Sequence, residues 1–304
     1  MESSFSVKPN GVKAWLLASR PKTLTGAAAP VLIGAALAWR EQGLRLFEGT
    51  GWVAMLLCLL FALIMQIDAN FVNDYYDFKK GSDRADRLGP KRACAEGWIT
   101  PRLMLRGIFI TTLLGCLTGL PLLWFGGWWM IAVGICCVAA CILYTTYLSY
   151  RGWGDVMVLL FFGIVPVFFT YMCSTSGLEQ TSWVEALLLG VGMGLVTDCL
   201  LMVNNYRDVE QDRVSGKRTV VVRFGEKVAL ALYLWLGVLG CVVVAWVEGH
   251  NPYLLQILIY LILHQRVWHR MARLKGRDLN IVLGQTARNI FIYGLLVSLL
   301  ICLG

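Results

Sequence analysis

The chain has little charge. Only 15% of its 304 residues are charged, against 58% that are hydrophobic. A soluble domain of this length needs far more charge to cover its surface, so a soluble enzyme is excluded. Histidine is scarce, at 3 residues, and no Cys-x-x-Cys or zinc-type spacing occurs. That leaves no soft metal centre to expect. The 10 cysteines lie nearly all inside apolar runs and read as small packing residues rather than disulfide partners. Strict alternation of apolar and polar residues is lacking as well. Of the two architectures a bilayer tolerates, a closed barrel drops out and helices remain.

What the chain does have is nine apolar runs, roughly at 23–39, 51–73, 103–123, 127–148, 155–173, 184–205, 226–247, 252–269 and 281–303. Each is long enough, or nearly so, to cross a ~30 Å hydrocarbon core at about 1.5 Å rise per residue. With nine spans, all 27 Lys and Arg except Arg40 and Arg45 fall on one side. The positive-inside rule then puts the amino terminus and the long basic loops in the cytoplasm and the carboxyl terminus outside. The expectation is a single all-α membrane domain over residues 1–304, in a cell's inner (plasma) membrane. Residues 1–22 form its cytoplasmic tail, with no cleavable signal peptide. In that tail Val12, Trp15, Leu16 and Ser19 share one side of a short helix flanked by Lys13 and Arg20, which reads as an interfacial helix. The net charge of +8 is thereby a topology signal, and nucleic acid is not an expected partner.

Two polar stretches stand at the inner ends of apolar runs: NFVNDYYDFKKGSDRAD at 70–86 and NNYRDVEQDRVSGKRT at 204–219. Asn70, Asn73, Asp74 and Asp77 share one helical face over about two turns. Asp198, Asn205, Asp208 and Asp212 project within about 80° of each other on a continuous helix. Asn70-x-x-x-Asp74 recurs as Asn204-x-x-x-Asp208, a weak internal repeat between the second and sixth spans. Carboxylates at membrane-embedded helix ends are costly and default to a functional reading. Asp68 points away from the first face, so a partner on a neighbouring helix or protonation has to relieve its cost.

Other features keep two readings each. Arg20 and Lys22 are interfacial anchors or phosphate contacts. The loop from Phe78 to Pro101 binds anionic lipid heads, or closes over an anionic substrate with Lys91 and Arg92 folding back to it. Tyr144, Tyr147 and Tyr150 form an aromatic belt, or present ring faces to a transient carbocation. Pro166 is expected to kink the fifth span, and His264 and His269 look interfacial.

Four motif aspartates on one side of a membrane bundle need counterions. Hard oxygen donors without His or Cys suit Mg²⁺, which completes its shell with water and phosphate oxygens. Surrounding Lys and Arg favour an anionic ligand, and an apolar bundle can house a long hydrocarbon. A lipid diphosphate meets all three conditions. Metal-assisted loss of diphosphate from an allylic carbon gives a stabilised cation, which a dry cavity protects from water. The rival reading is a polytopic cation transporter, but that needs polar groups at the midplane or on both sides, and the outer half of the spans is almost bare.

At these residues the chain resembles the UbiA superfamily of membrane prenyltransferases, and within it the MenA-type branch acting on 1,4-dihydroxy-2-naphthoate. RPKTLTGAAAPVLIG, GPKRACAEGWITP and LLFFGIVPVFFTY add to the two aspartate-rich motifs. The resemblance implies a nine-transmembrane-helix bundle with a central cavity open to lipid. It implies that Asp74, Asp77, Asp208 and Asp212 hold two Mg²⁺ gripping a polyprenyl diphosphate. Asn70, Asn73, Lys217, Arg218 and Arg92 would contact the diphosphate, and Arg20, Tyr147, Arg151 and Asn205 the acceptor. The implied product, with loss of CO₂, is demethylmenaquinone. Within the same superfamily, 4-hydroxybenzoate and homogentisate are alternative acceptors.

Overall fold

The computed structural model describes residues 7–81 and 87–304. It is built from helices: α1 (Val12–Ser19), α2 (Pro21–Gln42), α3 (Gly51–Lys79), α4 (Pro101–Gly119), α5 (Trp129–Arg151), α6 (Gly154–Ser174), α7 (Trp183–Arg207), α8 (Val209–Val214), α9 (Glu226–Val247), α10 (Ile257–Arg273) and α11 (Leu279–Leu303). Pro21 and Pro101 sit in first helical turns, where a missing N–H costs nothing.

Among the described residues, eight helices are long and apolar enough to cross a membrane, and α10 is not one of them. The expectation of nine spans is therefore not met by that measure. The eighth apolar run begins as a short 3-10 turn at Leu254–Gln256, leaving a helix of 17 residues. Its carboxyl-terminal half carries Arg266, His269, Arg270 and Arg273, which lowers its mean hydropathy. It still lies antiparallel to both neighbours. Trp268 Nε1 donates to the Leu230 carbonyl of α9 at 2.9 Å, and Gln256 Nε2 to the Leu296 carbonyl of α11 at 3.0 Å. His264 is buried rather than interfacial: it stacks on Tyr233 at 4.8 Å, and its Nε2 lies 3.1 Å from the Tyr233 carbonyl. Such interhelical bonds contribute about 0.6–2 kcal/mol each in a bilayer.

The tightest core joins α2, α6, α7, α9, α10 and α11 through residues such as Ile33, Tyr171, Met193, Tyr260 and Tyr293. Small residues let backbones approach here. A Cβ on Gly294 would lie 2.7 Å from that of Ala29, so α2 and α11 meet at a glycine–alanine contact. By contrast α4 and α5 present Phe109, Ile110 and Ile135 outward, as lipid-covered helices do. The end of the bundle away from the two acidic motifs is tied by ion pairs from Arg40 to Glu248 and Glu185, and by the Tyr171 hydroxyl donating to Glu41 at 2.6 Å.

Two helices leave α geometry. Tyr144–Leu148 in α5 and Leu160–Ile164 in α6 wind as π turns. In α6 the cause is Pro166, whose missing N–H cannot close the preceding turn. Both segments border the cavity that α3, α5, α6 and α7 enclose.

Candidate active site at the mouth of the bundle cavity

The cavity holds about 1140 Å³. Its deep wall is apolar, with Phe61, Met65, Val138, Phe161, Phe162 and Phe169, and its mouth is polar. The first motif delivers Asn70, Asn73 and Asp77 to this wall. Asp77 is 4% exposed; Asn73 Nδ2 donates to it at 2.9 Å, and Arg92 Nη2 lies 3.4 Å away. Arg92 has thus folded back from the loop, and its side chain is buried.

Asp74 does not reach the cavity wall. Its carboxylate accepts the backbone N–H of Ala93 at 2.8 Å and of Cys94 at 2.9 Å. At 100° per residue Asn73, Asp77 and Asn70 span about 60°, and Asp74 lies about 40° beyond, facing the loop. The face read from spacing is therefore wider than the face that lines the cavity. Asp68 finds its partners on α4: the hydroxyls of Thr111 and Thr112 donate to it at 2.5 and 3.1 Å.

The second motif delivers Asn204, Asn205, Asp208, Asp212 and Lys217. The helix is not continuous there. It breaks at Asp208, with φ −98° and ψ 12°, and restarts as α8. Arg207, buried beside it, makes two 2.7 Å bonds to Asp208 and is itself held by Asn204 and Asn280 at 3.0 and 2.8 Å. Lys217 Nζ stands 3.6 Å from Asp212.

The two motifs face each other across Tyr150. Lys80 lies 3.9 Å from the ring centroid and Lys217 5.5 Å. Burial pushes the Asp212 carboxyl up to about 6; Lys217 opposes that shift, and the Asp208 and Asp77 carboxylates add to it. Burial pulls the Lys217 ammonium down, but Asp77 and Asp212 outweigh it and leave its pKa above the ordinary lysine value. Burial lowers the Lys80 pKa, against the pull of Asp77.

Of the remaining expected contacts, Arg20 and Asn205 line the cavity. Arg20 sits in the left-handed region, φ 50°, with Nη1 3.4 Å from Asn73 Oδ1. For a residue with a Cβ that conformation costs about 1–2 kcal/mol. Tyr147, Arg151 and Arg218 are exposed and stand outside the cavity wall. Tyr147 and Arg151 stack on each other at 4.2 Å, and Arg218 is held through its backbone N–H to Tyr150. Sequence reasoning missed Arg207, Lys80 and Asp155. Arg207 and Lys80 look like ordinary inner-surface cations, and only their contacts separate them from the rest.

Among the described residues no three His, Cys, Asp or Glu side chains converge on a preformed metal cluster. The donors nonetheless fit a hard divalent ion. Asp77, Asp208 and Asp212 bring three carboxylates to one mouth, hard oxygen donors of the kind Mg²⁺ takes.

Fold and site together define an integral membrane helical protein whose acidic-and-basic mouth opens on an apolar cavity. The chain belongs to the UbiA prenyltransferase family, which matches residues 27–295. It is 34% identical to a 1,4-dihydroxy-2-naphthoate octaprenyltransferase of Haemophilus influenzae over 70% of each chain. It is 39% identical to the Escherichia coli protein of the same description, over 70% of this chain and 69% of that one. In structure it is similar to a UbiA homologue from Aeropyrum pernix K1, with TM-score 0.69, 15% identity and coverage of 93% and 98%. It is also similar to a homologue from Archaeoglobus fulgidus bound to DMAPP and Mg²⁺, with TM-score 0.60, 14% identity and the same coverage.

Proposed function

We propose that this protein transfers a polyprenyl group from an allylic polyprenyl diphosphate to 1,4-dihydroxy-2-naphthoate, with loss of CO₂. The observation that carries the reading is the mouth itself: two acidic motifs face each other across Tyr150, ringed by Lys80, Arg92 and Lys217, above an apolar cavity. The naphthoate acceptor rests on the relatives at 34% and 39% identity.

Lys80, Lys217, Arg92 and Arg20 supply the positive field for the diphosphate, and Asn73, which spends one amide N–H on Asp77, offers the other to its oxygens; Asn70 gives both of its own to the Ser19 carbonyl and the Thr23 hydroxyl. Asp77, Asp208 and Asp212 would hold Mg²⁺, which neutralises the diphosphate and assists its departure. Asp74 belongs to the support of this site, since it pins the loop that carries Arg92. The apolar wall receives the hydrocarbon chain and keeps water from the allylic cation. Tyr144 lines the cavity, where an aromatic ring can stabilise the allylic cation, while the Tyr150 ring already carries Lys80 and Lys217. Electron balance places the product at the hydroquinone level, and a later oxidation gives demethylmenaquinone. The amino terminus and the mouth face the cytoplasm and the carboxyl terminus faces outward, in a cell's inner membrane.

Mass spectrometry of products from mixed acceptors and prenyl diphosphates tests the reading. The expected product is prenylated naphthohydroquinone with release of CO₂. Preference for 4-hydroxybenzoate or homogentisate in direct competition overturns the acceptor.

A further inference from the structure

Two carboxyl groups in the cavity wall are left over once the acidic mouth is accounted for. Asp155 opens α6 and lines the cavity. Asp198 sits along α7 and is 5% exposed. Gly163, Gly190 and Gly194 bring α6 and α7 backbone to backbone, and across the same helix pair the two carboxyl groups lie close enough to interact. Two neighbouring carboxyl groups in a buried site cannot both ionise, so the pair holds one proton. Oδ1 of each is buried and has no hydrogen-bond partner. Neither acid forms an ion pair with Lys or Arg among the described residues. The titratable groups beside the pair include the Tyr144 phenol of α5, near Gly154, and the Cys199 thiol of α7, next to Asp198.

A membrane-buried acid with a spare oxygen is costly unless something uses it. Tyr144 links this pair to the mouth. Its ring lines the cavity, and a Cβ added at Gly154, next to Asp155, would lie 3.8 Å from its hydroxyl. The backbone turns to π geometry at Tyr144 itself, a distortion that recurs at functional positions in helices.

We propose that Asp155, backed by Asp198, is the proton acceptor for the hydroxyl of the aromatic acceptor. This rests on the prenyl-transfer reading above. The allylic C–O bond breaks and diphosphate leaves with its electron pair. The ring carbon bearing the carboxylate then bonds to the allylic carbon. The neighbouring hydroxyl gives its proton to Asp155, and its electrons become a C=O, leaving a β-keto acid. Loss of CO₂ returns an electron pair to the ring, and the oxygen takes its proton back from Asp155. The cycle consumes no net proton, oxidant or reductant. Asp155 touches the substrate and is a catalytic residue. Asp198 acts through it and is a positioning residue.

Steady-state kinetics across pH and infrared spectra of the metal-free protein test this on wild type, Asp155→Asn and Asp198→Asn. Asp155→Asn is expected to lower kcat/KM for dihydroxynaphthoate at least 10²-fold at neutral pH and to leave KM for the prenyl diphosphate unchanged. The deficit should shrink as rising pH delivers the acceptor as its phenolate, which needs no base. Asp198→Asn should displace the acidic limb of the pH profile and abolish the protonated-carboxyl infrared band of the wild type. Near-normal kcat/KM in Asp155→Asn, a deficit of equal size at every pH, or a wild type without that band overturns the proposal. The band requires no variant to fold. A wild type inactive on dihydroxynaphthoate overturns the functional reading instead, and is distinguishable because failure of the pair appears only in variants of an active enzyme.

Discussion

Asp77 and Asp212 come from different helices and share one electrostatic neighbourhood, while Asp74, three residues from Asp77, serves another purpose. The two roles predict different damage. Asp77→Asn or Asp212→Asn keeps the side-chain volume and removes a charge that faces the cavity. Each is expected to cut turnover at least 10²-fold, the scale of about 2.7 kcal/mol of transition-state stabilisation, measured at saturating substrate on folded protein. Asp74→Ala leaves two buried N–H groups, of Ala93 and Cys94, without their acceptor. That costs about 1–3 kcal/mol per group and should appear as a lower melting temperature and faster proteolysis of the loop. Asp68→Asn still accepts from Thr111 and Thr112 and stays off the cavity wall, so turnover is expected to remain at the wild-type level.

At the scale of elements, the crossing of α6 and α7 decides whether the cavity wall exists. A Cβ on Gly194 would lie 2.7 Å from the Leu159 carbonyl oxygen and 2.9 Å from its Cα, both backbone atoms that cannot swing aside. Gly194→Val therefore forces the helices apart, with an overpacking cost of about 1–3 kcal/mol or more, and separates Asp155 from Asp198. Lower yield of folded protein and a lower melting temperature are the expected readouts. Gly284 on α11 has nothing within 4 Å of an added Cβ. There Gly284→Ala should be neutral or stabilising by about 0.5–1 kcal/mol. The loop over the mouth is an element in the same sense. Asp74 holds its backbone, Arg92 reaches Asp77 from it, and Ala93, Cys94 and Ile99 pack with α1 and Met104 of α4.

For the whole molecule, one prediction concerns the metal and one the membrane. Carboxylate oxygens at a mouth proposed to receive a diphosphate suit Mg²⁺, so EDTA is expected to abolish prenyl transfer and added Mg²⁺ to restore it. Activity that survives EDTA would remove Mg²⁺ from the mechanism. The distribution of Lys and Arg predicts a carboxyl terminus on the outer face. A carboxyl-terminal reporter active only outside the cytoplasm reads this directly, and an inside signal would mean that α10 does not cross.

The sequence by itself determined the class, the helical bundle and the place of the two acidic motifs at helix ends. Hydrophobic length and the placement of Lys and Arg are properties of the chain read against a bilayer, and they need no tertiary contact. Asp77, Asp208 and Asp212 were legible because carboxylates at apolar helix ends are expensive wherever the helix packs. Tertiary structure alone decided which acids face the cavity. A face read at 100° per residue cannot tell a cavity from a neighbouring loop, so Asp74 and Asp77 looked equivalent until Ala93 and Cys94 claimed one of them. It cannot see a helix break at Asp208, nor a partner dozens of residues away, such as Thr111 for Asp68 or Asp155 for Asp198. Those pairings depend on which helices touch. Small-residue close packing fixes that choice, and such residues carry no signal of their partner in one dimension.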